Sequence, residues 1–250
     1  MAGSTPTAPR VRLLRLAGLD ILRQLQLEEA LLRATGANWF LINDGVPSPA
    51  IVMGISGQVS ELIDVPAARA QRLRVIKRFT GGGTVVVDRG TLLTALILQD
   101  GAVPGLECFP MPIMRWTEAF YAGVFAGHGQ FALREHDYVF GGRKFGGNAQ
   151  AITSRRWLHH TSLLWDFDPA NMAALTNPAK QPKYRGGREH GSFLVKLKHV
   201  LPSRAALVET LVANAAAHFD LQEASLEEAS EALQRHYLKA NKVIDLSSSP

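Results

Sequence analysis

The stretch from Asp137 to Asp166 constrains the fold most, because paired glycines divide a β-prone sequence into short strands. Gly141-Gly142 suits a hairpin turn whose residues take positive φ, and residues 153–156 make a second turn. The last part of the stretch is apolar, which is typical of a buried strand. The pattern therefore predicts three short strands joined by tight turns: Tyr138–Phe140, Arg143–Ile152 and Trp157–Trp165.

One lysine, Lys144, lies between the pairs Gly141-Gly142 and Gly146-Gly147. Glycines remove side-chain bulk, so a ligand can approach the backbone closely around this lysine. An ammonium group in that position offers a point cation to phosphate or carboxyl oxygens. From this stretch alone, a surface lysine on a hairpin is the alternative interpretation.

A glycine triplet, residues 81–83, marks a second informative stretch, Val75–Leu98. It matches neither the P-loop pattern nor the dinucleotide-binding pattern, because a β-branched strand follows it instead of a helix. An anion held there would meet consecutive backbone N–H groups. A glycine bulge in a β-meander is the structural alternative. Neighbouring side chains add a cation and two hydroxyls: Arg78, Thr80 and Thr84.

Composition limits the classes of protein that this chain can belong to. With 250 residues, 46% hydrophobic and 20% charged, it predicts one globular domain. The net charge of +5 favours anionic ligands but is too modest to indicate nucleic acid, and no apolar run suits a membrane span. The single cysteine, Cys108, excludes an internal disulfide.

Residues 1–10 predict a flexible N-terminus without a secretory segment. This favours the cytoplasm as the compartment, with mitochondrion or plastid as alternatives.

The remaining patterns predict scaffold around these two stretches. We expect an α/β chain of the α+β type, in which a mixed, largely antiparallel sheet is flanked by helices. Residues 11–245 are expected to form its single domain. The predicted elements are a strand at Val11–Leu16, a helix capped by Asp20, strands at 38–43, 50–53 and 131–134, helices opening at Pro66, Pro110 and Ser203, and a last helix with a Ser225–Glu228 capping box that runs to about Lys239.

Three motifs in order carry a resemblance to a known family: KRFTGGGTVVVD, DYVFGGRKFGGNAQ and LHHTSLLWD. Together they resemble the lipoate–protein ligase A family over roughly Val11 to Phe219. That family shares its catalytic-domain fold with the class II biotin ligases. The resemblance implies that lipoate attacks the α-phosphate of ATP, with Mg²⁺, to give lipoyl-adenylate. A lysine of a lipoyl domain from a 2-oxoacid dehydrogenase complex, or of the glycine-cleavage H protein, then takes the lipoyl group.

The resemblance also implies residue roles. Lys144 matches a lysine that bridges the acyl carbonyl and adenylate phosphate oxygens, where it stabilises developing charge. Asp137 matches an acidic position associated with magnesium and nucleotide, and His160 a histidine beside the acyl pocket. Asn148 and Gln150 are expected on the strand face of Lys144, where they orient the ligand. The loop that embraces the adenylate is matched by Arg78, Thr80, Gly81, Gly82, Gly83 and Thr84.

Two positions depart from the family pattern. Val87 stands where the triplet motif usually has histidine, and His136 where asparagine often precedes the aspartate. The related octanoyl transferases use a cysteine soon after an Asn-Pro pair, but Asn177-Pro178 is followed here by Ala179. An acyl-cysteine mechanism therefore has no visible nucleophile in this sequence.

Other patterns carry less chemistry. His159 and His160 are strand neighbours that point to opposite faces, which disfavours zinc, and Ser162 lacks a nucleophile elbow. The basic segment Ala179–His199 predicts a lid over ATP phosphates, with Lys183 as its ligand-binding candidate; a solvated loop is the alternative.

Two function classes remain open at this stage. The first is an ATP-dependent ligase, or a lipoyl or octanoyl transferase that uses a preformed acyl donor. Because no C-terminal accessory domain is expected, we expect a separate accessory protein to assist the activation of lipoate. The second is a non-catalytic acyl- or nucleotide-binding relative, for which Val87 is the only indication.

Overall fold

The structure is a computed structural model that describes residues 8–176 and 181–247. Its strands are β1 (Arg10–Leu16), β2 (Trp39–Asp44), β3 (Ala50–Met53), β4 (Arg74–Lys77), β5 (Val85–Val87), β6 (Thr91–Gln99), β7 (Phe131–Arg134), β8 (Asp137–Phe140), β9 (Arg143–Ile152), β10 (Arg156–Leu164), β11 (Asp220–Glu223) and β12 (Lys242–Ile244). Its helices are α1 (Ile21–Ala34), α2 (Val59–Leu62), α3 (Val65–Ala70), α4 (Pro110–Val124), α5 (Pro169–Met172), α6 (His190–Phe193), α7 (Arg204–His218) and α8 (Leu226–Ser230). Short 3-10 turns occupy Lys183–Arg185, Leu197–His199 and Glu231–Gln234.

The strands form two sheets. The larger has the order β11-β1-β2-β6-β10-β9-β8-β7, and the smaller has the order β12-β4-β3-β5. Three pairs are parallel, β1 with β2, β1 with β11 and β3 with β4, while the other pairs are antiparallel. The predicted mixed, largely antiparallel architecture is confirmed. The small second sheet was not anticipated, because strand pattern alone does not say which strand pairs with which.

Strand β10 lies at the centre of the larger sheet, and every one of its residues is buried. On one face of the sheet, Trp157 and Leu163 pack with Phe120 of α4 and Leu211 of α7. On the other face, Leu158 packs with Leu27 and Leu31 of α1. The two faces of the same strand therefore meet different helices, which allows them to carry different chemistry.

The hairpin between β8 and β9 is confirmed, with φ of 52° at Gly141 and 83° at Gly142. Just beyond it the register shifts, because Val139 pairs with Lys144 whereas Tyr138 pairs with Gly146. Phe145 is therefore an extra residue, a β-bulge. Side chains alternate between the two faces of the sheet along a strand. After one extra residue, every following side chain of β9 therefore points to the face opposite the one that strict alternation from Lys144 predicts.

The helices begin at the predicted caps, but the last helix does not end where the sequence predicts. Asp20 accepts from the backbone of Leu22, Ser203 caps α7, and the Ser225–Glu228 capping box is present. The last helix ends at Ser230 and not near Lys239, so that prediction is wrong. A 3-10 turn at Glu231–Gln234 follows, and farther along the chain β12 pairs with the edge strand β4, where its backbone groups find partners.

Residues 1–7, which contain most of the predicted flexible N-terminus, lie outside the described residues. Within the described ranges, no helix combines the length and the apolar character needed to cross a membrane.

Candidate active site

The glycine-flanked lysine is held by a buried carboxylate. The Lys144 ammonium lies 2.8 Å from Oδ1 of Asp137, whose side chain is 10% exposed. The other oxygen, Oδ2, accepts a hydrogen bond of 2.8 Å from the Tyr184 hydroxyl. An ammonium group has three N–H donors, so the ion pair leaves two of them for a ligand.

The bulge determines what Lys144 faces. A Cβ built on Gly147 would lie 3.3 Å from the Lys144 ammonium and 3.3 Å from Oγ of Ser162, so the three groups share one face of the sheet. The lysine stem crosses the strand over Gly147, because no side chain stands there. The second glycine pair therefore makes room for the lysine.

Asn148 and Gln150 lie on the opposite face, so the prediction that they share the Lys144 face is wrong. Asn148 accepts from Thr161 at 2.7 Å and lies 3.2 Å from Nε2 of His159, and Gln150 contacts the other ring nitrogen at 3.0 Å. The alternation argument failed because Phe145 adds one residue between Lys144 and both side chains.

The buried histidine between these two amides is neutral. The Gln150 amide donates to Nδ1 of His159, while Nε2 carries the proton toward the Asn148 oxygen. Burial, with a smaller contribution from His160, lowers the pKa of His159 from its ordinary value to about 3. This face of the sheet thus holds an uncharged hydrogen-bonded network.

The glycine triplet packs onto the Lys144 face. A Cβ on Gly82 would lie 3.7 Å from Cβ of Ala149, the residue two after Gly147 on the same strand. Gly82 has a φ of +106°, whereas Cβ atoms on Gly81 and Gly83 would meet nothing within 4 Å. All three glycines are exposed, and only at the central one would an added side chain meet close neighbours.

Arg78 shapes this loop from inside. Its guanidinium is buried and donates to Oγ1 of Thr80 at 2.8 Å and to the carbonyl oxygens of Gly81 and Gly83 at 2.9 and 2.8 Å. Burial lowers its pKa to about 10, although the charge of Glu28 acts in the opposite direction. The Arg78 side chain thus stabilises the triplet loop by donating hydrogen bonds to the carbonyl groups of Gly81 and Gly83.

Glu28 is a functional candidate that the sequence analysis missed. Its carboxylate is fully buried on α1, and its two oxygens lie 2.9 and 3.0 Å from Nδ1 of His160. Gln24 donates to the same carboxylate at 2.7 Å and accepts from Asn43 at 2.8 Å. A carboxylate on the apolar side of a helix was the available signal, because such residues are almost never buried without a partner.

His160 lies on the Lys144 face, since it pairs with Ala149 in the register of β9 and β10. Its Nδ1 is oriented by Glu28, so Nε2 is the nitrogen left for a ligand. The structure thus brings together Lys144, Asp137, His160, the glycine triplet and Arg78.

The described part of the basic segment, residues 181–199, folds against the site. Leu194 forms a parallel bridge with Lys144, and the Val195 N–H donates to the Lys144 carbonyl at 2.9 Å. Lys183 is exposed at the start of a 3-10 turn. Lys180, Asn177 and Pro178 lie outside the described residues.

Several cations of this segment already have partners. Lys196 and Lys198 pair with the two oxygens of Asp166 at 2.7 and 2.5 Å. Arg188 donates to the Tyr184 carbonyl at 2.8 Å and lies over the Phe193 ring.

The remaining residues singled out in the sequence are structural in this state. Val87 is buried in an apolar cluster with Ile21 and Leu25 of α1. The His136 carbonyl accepts from Asn148 at 3.0 Å. Thr84 has a buried hydroxyl with no hydrogen-bond partner among the described residues.

The predicted metal role of Asp137 stays a prediction. Both carboxylate oxygens are engaged, and the described residues contain no cluster of three His, Cys, Asp or Glu side chains able to hold a metal ion. Magnesium takes one or two protein carboxylates together with substrate phosphates and water, and each oxygen of Asp137 keeps a lone pair beside its present partner, so this carboxylate fits such a site.

Cys108 lies away from this site. Its thiol donates to Asp100 at 3.1 Å, and burial, followed by the contact with Asp100, raises its pKa to about 11. A thiol held protonated in this way is a poor nucleophile.

Comparison with known proteins agrees with this geometry. The family described as "Lipoyl protein ligase A/B catalytic domain" matches residues 20–235. Inactive lipoate–protein ligase 2 of Plasmodium falciparum is 29% identical in an alignment of 181 residues that covers 59% of this chain and 47% of that protein. Lipoate–protein ligase 1 of Staphylococcus aureus is 28% identical in an alignment of 162 residues that covers 62% of this chain and 47% of that protein. This chain thus spans about half the length of these curated relatives.

Solved structures show the same fold. A crystal structure of lipoate–protein ligase A bound with ATP superposes with a TM-score of 0.72 at 17% identity, covering 91% of this chain and 92% of that one. A bipartite lipoate–protein ligase from Thermoplasma acidophilum, determined in a study that included its E2 lipoyl domain, gives 0.72 at 18% identity and covers 91% and 90%. With the family match over most of its length, the chain belongs to the lipoyl protein ligase A/B catalytic domain family.

Proposed function

We propose that this protein is a lipoate–protein ligase, which activates lipoate with ATP and transfers the lipoyl group to a lysine of a lipoyl domain. The observation that carries the proposal is the ammonium of Lys144. It is fixed 2.8 Å from Asp137, on the sheet face covered by the glycine triplet. A preorganised cation beside open backbone suits a reaction in which negative charge develops on oxygen.

In the first step, a carboxylate oxygen of lipoate forms a bond with the α-phosphorus of ATP, and the bond to pyrophosphate breaks. The two free N–H groups of Lys144 would donate to the carboxyl oxygen and an α-phosphate oxygen, which brings the reacting groups together and offsets their repulsion. The backbone at Gly81 and Gly83 is exposed, and its N–H groups would bind phosphate oxygens. Mg²⁺, when bound, supplies further neutralisation of phosphate charge.

In the second step, the neutral amine of the acceptor lysine attacks the acyl carbon of lipoyl-adenylate. The bond to AMP breaks, AMP leaves with the electron pair, and the amine releases a proton to water. Lys144 would stabilise the tetrahedral intermediate and the departing phosphate, as donors in an oxyanion hole do. His160, oriented by Glu28, would contact the acyl group through Nε2.

Lipoyl domains are the proposed acceptors. The support is family membership, together with the lipoyl domain named with the T. acidophilum ligase. An acyl-cysteine route has less support, because the thiol of Cys108 is held protonated away from the site.

The test compares the two half-reactions. Purified protein is given an apo lipoyl domain with either ATP, Mg²⁺ and lipoate or synthetic lipoyl-adenylate, and lipoylation is read by intact mass. We expect faster transfer from the adenylate, because Lys196 and Lys198 of the basic segment are already paired with Asp166 and are not free to neutralise triphosphate. Equal rates would show that the described segment suffices for activation, and no lipoylation from either donor would refute the proposal.

A second candidate function is that of a non-catalytic relative. Two observations favour it: Val87 replaces the histidine of the triplet motif in an apolar cluster, and a similar P. falciparum protein carries the name inactive ligase 2. This candidate predicts binding of a stable lipoyl-adenylate analogue with no lipoylation. Titration calorimetry beside the mass assay separates the two.

A further inference from the structure

We infer that Tyr184 is a positioning residue for Lys144 that acts through Asp137. The inference rests on the proposed function of Lys144 but names a residue that no motif points to. A single carboxylate joins the two groups, with Oδ1 at 2.8 Å from the ammonium and Oδ2 at 2.8 Å from the phenol hydroxyl. The hydroxyl therefore determines how the carboxylate is turned, and the carboxylate determines where the ammonium lies.

The phenol hydroxyl is the donor in this arrangement, because an ionised carboxylate only accepts hydrogen bonds. The ammonium lies on one oxygen of Asp137 and the hydroxyl on the other, so each oxygen is directed by its own donor. Turning the carboxylate away from this position would lengthen both contacts, and Asp137 is therefore held in one orientation.

The same segment also holds the backbone of Lys144. Val195 donates to the Lys144 carbonyl, and the bulge at Phe145 interrupts the β8 ladder at this point. The Tyr184 ring lies 5.3 Å from the ring of Phe193, two residues before Val195. One packed unit therefore contacts the lysine twice, through its main chain and through the carboxylate that holds its side chain.

This double contact has a physical consequence for catalysis. A free lysine side chain samples many rotamers, and this freedom must be lost when it takes a defined position on a ligand. Holding the ammonium in place before the ligand arrives removes that cost from the reaction. Tyr184 would thus contribute to the rate of transfer more than to the affinity for the acceptor.

The test removes only the hydroxyl. Tyr184→Phe keeps the ring against Phe193, and Tyr237→Phe, at a tyrosine outside the site, is the matched control. With lipoyl-adenylate and an apo lipoyl domain, we expect kcat to fall about tenfold in Tyr184→Phe, with KM for the acceptor within about twofold. Thermal unfolding is measured in parallel, and Tyr237→Phe should keep wild-type kcat.

A second readout does not depend on ligase activity. Each protein is labelled with a limiting amount of an acylating reagent, and Lys144 is compared by peptide mass spectrometry with the exposed Lys239 and Lys242. We expect the Lys144 labelling rate to rise at least about threefold in Tyr184→Phe, because the released ammonium samples more orientations. Unchanged labelling of Lys144 together with unchanged kcat would overturn the inference. If the wild type transfers no lipoyl group, the proposed function fails, and the labelling contrast alone decides the role of Tyr184.

Discussion

The two faces of β9 and β10 are built from neighbouring residues, yet they differ in charge. One face carries Lys144, Asp137 and the His160–Glu28 pair, so it places ionisable groups beside the glycine triplet. The other carries His159 between Asn148 and Gln150, where burial keeps the imidazole neutral. A charged face can act on an anionic ligand, whereas a saturated neutral network can only hold the strands together. The comparison predicts that substitutions on the first face change chemistry and those on the second change stability.

The largest effect is expected at the ammonium on the charged face. Lys144→Ala should lower lipoyl transfer by at least roughly 100-fold, because the donor aimed at the reacting oxygens is removed. Circular dichroism should show a retained fold, and Lys239→Ala, at an exposed lysine, is the control. Wild-type turnover in Lys144→Ala would refute the role, as would unfolding as the cause of inactivity.

The triplet offers a second substitution on the same face. In Gly82→Val, a Cβ would lie 2.8 Å from Nη2 of Arg78 at a φ of +106°, so the loop must distort. Strain of about 1–3 kcal/mol should weaken binding of a stable lipoyl-adenylate analogue roughly tenfold or more in calorimetry. Gly36→Ala, outside the site, is the control, because a Cβ there would meet only the end of the Gln99 side chain at 4.0 Å. Undiminished affinity in Gly82→Val would make the triplet a structural bulge only.

Asn148→Ala tests the neutral face. The substitution leaves the buried His159 ring without one partner, so the free energy of unfolding should fall by about 1–3 kcal/mol in urea titration. Affinity for the adenylate analogue should stay within about twofold, because the side chain points away from Lys144. A large loss of affinity with unchanged stability would return Asn148 to the ligand site.

The buried imidazole also predicts a pH dependence. Since the pKa of His159 is lowered to about 3 in the folded protein, only the unfolded chain takes up this proton between pH 6.5 and pH 3. Stability should therefore fall as the pH decreases through that window, by up to about 1.4 kcal/mol per pH unit from this group. His159→Gln should reduce this slope, and an equal slope in the variant would contradict the assignment.

The smallest effect is expected outside both faces. Cys108→Ser should retain full lipoyl transfer, because the thiol is held protonated by burial and by Asp100. Acyl-thioester trapping with intact mass provides the check. A thioester on Cys108 would replace the adenylate mechanism with cysteine acyl transfer.

Local patterns predicted much of this molecule. The caps at Asp20 and Ser203, the Gly141-Gly142 hairpin and the strands of the central stretch lie where the sequence places them. These features depend on hydrogen bonds and backbone preferences within a few residues. The glycine-flanked Lys144 and the triplet were found in the same way, because glycine spacing can be read without knowledge of the fold.

The sequence by itself thus determined the strands of the central stretch, the helix caps, the family resemblance and the identity of the central lysine, but not the strands β11 and β12. Only the tertiary structure decided which face each strand residue occupies, because the bulge at Phe145 cannot be recognised from alternation. It also decided the partners of the site, such as Glu28 for His160, 132 residues away along the chain. Contacts of that kind come from the packing of whole elements, which a local pattern does not specify.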